Sequence, residues 1–300
     1  MKYFSIILLL SFSSNFSTSW GFFAHKLINK HAVYSLPQSM NTFYINNIDL
    51  LEEKAVDADK RRYSDKDEAH KHYIDIDFYS VDSPFVVMPR YKKDAIAKFS
   101  LDTLEAYGIL PWHINYCYYE LVKAMKRKDA QKVIYLSADL GHYIADANVP
   151  LHTTLNYDGQ LTNQDGIHAF WESRLPELFH SNYNLIVPKI EYIDNVLDRV
   201  WQTIEASHNA KDSVLLLEQK LRENYDGDKV YSFEEKGGKS NGVYSKEYSQ
   251  DYHMLLNGMV ERQLRKSIHL TSSWHELKIK PFYKRKIWTY VFYRVSLYPI

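Results

Sequence analysis

The chain has 300 residues, enough for two average domains or for one large domain. With 45% hydrophobic and 25% charged residues, its composition excludes a wholly disordered or a fibrous protein. Lys and Arg number 37 and Asp and Glu also number 37, so the zero formal net charge does not indicate a strongly basic nucleic-acid-binding protein.

The first elements in chain order are typical of export. Lys2 is followed by an apolar run at residues 6–10 and by small residues at 17–19. This pattern predicts a signal peptide at residues 1–19, a secreted or periplasmic location, and Trp20 as the first mature residue. Cys117 is the only cysteine, so no intrachain disulfide can stabilise the exported protein, and bound metal is one substitute.

Apolar residues at helical spacing then form four stripes, over residues 114–125, 133–144, 190–204 and 248–264. Pro111 suits the start of the first helix, Pro150 ends the second, and Pro188 opens the third. Turn-forming residues predict loops at 153–166 and 226–242. We therefore predict an all-α fold with long loops, followed by an aromatic and basic extension of unknown role at residues 281–300.

The candidate metal-binding residues are concentrated in residues 142–172. His142 and Asp146 lie four residues apart on a predicted helix, and His168 and Glu172 form a second pair at the same spacing. His152 lies between the pairs. One His–acid pair is usually a surface ion pair. Two pairs with a further His between them favour a metal site, since imidazole and carboxylate groups are zinc ligands.

Earlier residues extend this set, although each has an ordinary explanation when it is taken alone. His25 follows Trp20 by five residues, Asp59 lies in a charge run beside Asp57, and His72 precedes aromatic and acidic residues. Separately, these segments are typical of a helix start, a solvated charged surface, and a strand or turn.

Together, the motifs resemble the superfamily that joins zinc-dependent phospholipase C to the single-strand-specific zinc nucleases. In that superfamily a cleaved N-terminal Trp binds zinc, and the remaining ligands follow in a fixed order. The order here is Trp20, His25, Asp59, His72, His142, Asp146, His152, His168 and Glu172. The resemblance implies one helical domain over residues 20–280, with three zinc ions in a cleft.

The resemblance also implies how the ligands are shared. One zinc ion would bind Asp59, His72, His142 and Asp146, and a second would bind Trp20, His25 and the other oxygen of Asp146. A third would bind His152, His168 and Glu172. Asp57 is the alternative to Asp59. A metal-activated water would then hydrolyse a phosphodiester, with Asp59 orienting the water or acting as its general base.

The motifs leave two substrates open. Tyr73 and Asp75 are similar to the residues with which the nucleases hold a base, and they would bind the substrate on either hypothesis. Glu172, its preceding aromatic Trp171, and Asp77 are similar to the phospholipase branch, which is slightly favoured. The expected partner is therefore a phospholipid headgroup or single-stranded nucleic acid, with transient membrane contact and no obligate protein partner. Two alternatives remain: a non-catalytic zinc-binding structural protein, and a membrane-surface adhesin that uses the aromatic, basic terminus after Pro281.

Overall fold

The computed structural model describes residues 21–191, 193–236 and 238–275. The predicted signal peptide, Trp20, and the extension at residues 281–300 lie outside these ranges. Across the described residues, every helix is too short or too polar to span a lipid bilayer.

Helices dominate the described ranges, which confirms the predicted all-α class. In chain order the α-helices are α1 (Phe22–Tyr34), α2 (Gln38–Ile45), α3 (Ile48–Lys54), α4 (Asp57–Arg61), α5 (Pro84–Val87), α6 (Lys92–Phe99), α7 (Leu101–Tyr107), α8 (Leu110–Arg127), α9 (Ala130–Ala147), α10 (Ile167–Ala169), α11 (Leu175–Phe179), α12 (Val196–His208), α13 (Lys211–Glu223), α14 (Lys246–Leu255) and α15 (Met259–His275). Five short 3₁₀ turns (Ala69–Lys71, Ile76–Phe78, Pro150–Thr153, His180–Asn182 and Gly227–Lys229) and a π-helical turn (Phe170–Arg174) join them.

Helix α9 lies at the centre of the fold. It packs against α8, α12 and α3 on some sides and against α1 and α15 on others. Its Leu140 and Ile144 belong to one hydrophobic core, whereas Ala145 belongs to a second core built with the starts of α1 and α15. The face of α9 between the two cores carries His142 and Asp146, both 0% exposed.

The first two apolar stripes form α8 and α9 as predicted, but the other two differ. Helix α12 begins only at Val196, because Asn195 caps it by accepting a hydrogen bond from the Asp198 N–H at 3.3 Å. The stripe at residues 248–264 is two helices, since Asn257 and Gly258 take left-handed φ angles of 46° and 72° between α14 and α15. The spacing of apolar residues alone does not reveal such a break between two helices.

The predicted loop at residues 153–166 is found, but the one predicted at 226–242 is wrong. That segment contains most of an antiparallel hairpin of β1 (Tyr231–Lys236) and β2 (Lys239–Tyr244), in which Phe233 pairs with Gly242. Arg174 anchors the hairpin by donating to both carboxylate oxygens of Glu234, at 2.9 and 2.6 Å. The strands are largely solvent-exposed, so their polar composition hides them from a hydrophobic pattern.

Candidate metal centre

The centre begins with a histidine on α9 whose orientation is fixed by the backbone. The His142 Nδ1–H donates to the carbonyl of Ala55 at 2.8 Å, and a carbonyl can only accept. The unprotonated Nε2 therefore faces inward. Burial lowers the pKa of His142 to about 4, so the ring is neutral and ready to bind a cation at neutral pH.

Four side chains converge there into what we call the first cluster: Asp59, His72, His142 and Asp146. His72 Nδ1 lies 2.9 Å from Asp146 Oδ2 and 3.1 Å from His142 Nε2. Asp59 Oδ1 lies 3.7 Å from His142 Nε2 and 3.9 Å from His72 Nδ1. A tetrahedral zinc ion with bonds near 2.05 Å separates its ligand atoms by ~3.3 Å, within the range of these distances.

The geometry also separates Asp59 from its alternative, Asp57. Asp59 is fully buried in the cluster, whereas the side chain of Asp57 is 27% exposed and pairs with Lys54 and Lys60. Although both carboxylates lie on the short helix α4, only the one at position 59 faces α9. Asp59 is the ligand that the resemblance implies.

The second cluster consists of His25 on α1 with the outer oxygens of the same two carboxylates. His25 Nε2 lies 3.5 Å from Asp146 Oδ1 and 4.0 Å from Asp59 Oδ2. Its ring stacks on that of His142 with centroids 3.6 Å apart. Asp146 therefore turns one oxygen to each cluster, in the bridging arrangement that the resemblance implies.

The predicted ligand Trp20 lies outside the described residues, but its neighbour Gly21 is closely packed. A Cβ on Gly21 would lie 2.3 Å from Ser173 Oγ, far inside van der Waals contact. Ser173 follows Glu172 in the π-helical turn, so the missing side chain of Gly21 lets the start of α1 reach the third cluster.

The third cluster consists of His152, His168 and Glu172. His168 Nε2 lies 3.0 Å from His152 Nε2 and 3.1 Å from Glu172 Oε2, and His152 Nε2 lies 3.6 Å from the same oxygen. The His152 Nδ1–H donates to the carbonyl of His72 at 2.8 Å, which links this cluster to the first. Glu172 lies on a π-helical turn, a rare conformation that is frequent at functional sites.

The donor chemistry of all three clusters fits bound cations. Within the described part of the chain, neither oxygen of the fully buried Asp59 accepts a hydrogen bond. Burial accordingly raises its pKa well above the usual range, a shift that a nearby cation reverses. Burial alone would lower the pKa of His72, but Asp146 and Glu68 raise it to about 9, so a metal ion there would displace a proton.

A surrounding layer that the sequence analysis did not identify supports His72. Glu68 Oε1 lies 3.7 Å from His72 Nε2, and Tyr143 donates its hydroxyl hydrogen to the same oxygen. Lys71 Nζ lies 2.7 Å from the other oxygen, Oε2, and Arg61 Nη2 lies 3.3 Å from Oε1. Burial opposes ionisation of Glu68, but these neighbours hold its pKa below the usual range. The four-residue step from Glu68 to His72 was the signal available in the sequence.

The two predicted substrate-binding residues lie directly after His72 in the chain. Tyr73 is partly exposed, and its hydroxyl donates to the carbonyl of Ala106 at 3.4 Å. Asp75 is 7% exposed, and among the described residues no group donates a hydrogen bond to its carboxyl. Burial, with the neighbouring charge of Asp77, raises the pKa of Asp75 to about 8. Asp77 instead accepts from Thr154 Oγ1 at 2.5 Å and from the Leu155 N–H at 2.9 Å.

Comparison of the chain with protein-family models and with curated proteins gives no match. Within the described residues, three groups of donor atoms are close enough to hold a metal ion: His25 with Asp59 and His142, His72 with His142 and Asp146, and His152 with His168 and Glu172.

Proposed function

We propose that the protein is a secreted zinc-dependent hydrolase of phosphodiesters. The observation that carries the proposal is the placement of Asp146 and Asp59, each with one oxygen toward His25 and the other toward His72 and His142, beside the third cluster. Adjacent metal positions with bridging carboxylates suit phosphoryl transfer, in which attacking and leaving oxygens both develop negative charge.

The bound zinc ions would supply Lewis acidity and lower the pKa of a coordinated water far below that of bulk water, toward about 7. Asp146 would hold two of these ions in fixed relation through its separate oxygens. Asp59, whose carboxylate has no other hydrogen-bond donor among the described residues, would orient the water and accept its proton. Arg62, whose guanidinium lies 3.9 Å from Asp59 Oδ1 with its side chain 28% exposed, would bind a phosphoryl oxygen.

The third cluster favours catalysis over a purely structural role. It offers three protein ligands, His152, His168 and Glu172. Structural zinc sites have four protein ligands, whereas catalytic sites keep a position open for water or substrate. His168 also retains 13% side-chain exposure, so solvent reaches this edge of the centre.

Two substrate classes are proposed, in order of preference. Glu172 as the last ligand keeps a phospholipase C-like activity as the first candidate. Asp77 and Trp171, the other residues that suggested it, have packing roles: Asp77 holds the loop after His152, and Trp171 is 0% exposed in the second core. The buried Asp75 carboxyl, with no donor among the described residues, favours a nuclease as the second candidate, because it can hydrogen-bond the edge of a base stacked on Tyr73.

Hydrolysis assays on the chain beginning at Trp20 test the proposal. Phosphatidylcholine vesicles and single-stranded DNA and RNA would each be offered with zinc and with a chelator. We expect chelator-sensitive release of phosphocholine or of nucleotides. Asp59→Ala should abolish this release, and the control Asp57→Ala, which changes a partly exposed carboxylate two residues away, should not. Turnover that survives the chelator, or equal activity of the two variants, would refute the proposal.

A further inference from the structure

Helices α1 and α9 pack against each other, and at one point of this contact α9 has a glycine. A Cβ built on Gly141 would lie 2.3 Å from Asn29 Oδ1, 2.9 Å from its Cγ and 3.0 Å from its Nδ2. Such distances are shorter than real Cβ contacts, so any larger residue at position 141 must displace Asn29 or separate the helices.

Asn29 has little freedom to give way. It is 1% exposed, and its Nδ2 donates to the carbonyl of His25 at 3.1 Å, one turn earlier on α1. Glycine in the interior of a helix is less favourable than alanine, and Gly141 has no left-handed φ angle that would require it. The reason for glycine at this position is therefore the close packing of Asn29.

The contact lies immediately beside the second cluster. Gly141 precedes His142, whose ring stacks on that of His25, and Asn29 holds the backbone of His25 itself. His25 reaches Asp146 Oδ1 at 3.5 Å only because α1 lies at this separation from α9. The remaining ligands of the first and third clusters lie on α9 or on other segments, so α1 carries none of them.

We infer that Gly141 is a positioning residue that sets the distance between His25 and Asp146, with Asn29 as its contact partner. The inference rests on the proposed metal-binding function. Replacing Gly141 by Ala should weaken one zinc ion selectively, by about 10- to 100-fold, the usual effect of disturbing the residues that orient metal ligands.

The test measures zinc binding by Gly141→Ala, by Asn29→Ala, and by the double variant that carries both substitutions. Each is compared with Gly227→Ala. Gly227 is the matched control, because a Cβ there would meet no atom within 4 Å. Zinc stoichiometry and affinities would be measured on the chain beginning at Trp20 by competition with a chromophoric chelator. We expect Gly141→Ala to bind one ion more weakly, the double variant to recover much of that affinity, and the control to match the parent protein.

A Gly141→Ala protein that binds all its zinc like the control, or a double variant that recovers nothing, would overturn the inference. If Gly141→Ala fails to fold, Asn29→Gln enlarges the other partner of the contact, and it should weaken the same ion; unchanged binding would refute the inference. A parent protein that binds no zinc would refute both the proposed function and this inference. A parent protein that binds zinc without hydrolysing either substrate would refute the function alone, and the titration would still decide the role of Gly141.

Discussion

Replacing Asp146 by Ala should remove two metal positions with one substitution. Its Oδ2 lies 2.9 Å from His72 Nδ1 in the first cluster, and its Oδ1 lies 3.5 Å from His25 Nε2 in the second. The third cluster, formed by His152, His168 and Glu172, does not include Asp146, whose Oδ1 lies 3.6 Å from His152 Nδ1, the ring nitrogen that does not face His168. Asp146→Ala should therefore retain one zinc ion and lose turnover.

The magnitude follows from binding linkage. A ligand present at 100 times its Kd stabilises the folded state by about 2.7 kcal/mol per site. Three filled sites would add about 8 kcal/mol to the free energy of unfolding of the parent protein, whereas Asp146→Ala would gain only about 2.7 kcal/mol. At 2–4 °C per kcal/mol, these gains correspond to zinc-dependent rises in Tm of ~20 °C and ~7 °C.

Thermal unfolding followed by circular dichroism, with chelator and with buffered zinc, measures these shifts. Ser137→Ala is the matched control, because Ser137 is also buried on α9 but hydrogen-bonds Tyr44, which belongs to none of the clusters. The control should lose some stability in the chelated state and keep the full zinc-dependent rise. An Asp146→Ala protein with the same zinc-dependent rise as the control would refute the shared-ligand arrangement.

Three further predictions concern single side chains in or beside the clusters. Glu68→Gln should weaken zinc at the first cluster by about 10- to 100-fold, because it removes the negative charge 3.7 Å from Nε2 of the ligand His72; an unchanged affinity in a chelator competition would contradict this role. His168→Ala should lose one zinc equivalent by metal analysis and lose turnover, whereas His180→Ala, outside the clusters, should lose neither. The native pKa of Asp75, about 8, exceeds its unfolded value, so the native state binds more protons between pH 4 and 8. The contribution of this group to the free energy of unfolding therefore falls as the pH rises through that window. In urea denaturation, Asp75→Asn should exceed the parent protein in free energy of unfolding by more at pH 8 than at pH 5. An equal difference at the two pH values would contradict this.

Local spacing made part of the centre predictable from sequence. His142 with Asp146, and His168 with Glu172, are close because a helical turn places residues four apart on one side. The regular helices α8 and α9 were predictable for the same reason, since their apolar stripes face a core.

The rest of the centre and of the fold depends on contacts between residues that are far apart in the chain, which local spacing does not show. The choice of Asp59 over Asp57 depends on which side of the short helix α4 faces α9, and the contact between Gly141 and Asn29 joins distant parts of the chain. The hairpin at residues 231–244 has little hydrophobic alternation to reveal it. The role of Glu68 becomes clear only when Tyr143 and Arg61 are seen to converge on it.

The most direct measurement of the central claim is phosphodiester hydrolysis by the metal-free chain beginning at Trp20 as zinc is added back in measured equivalents. We expect no turnover without zinc, and activity that rises until the three clusters are filled. Full turnover by the metal-free protein, or no turnover at saturating zinc on either phospholipid or single-stranded nucleic acid, would contradict the account.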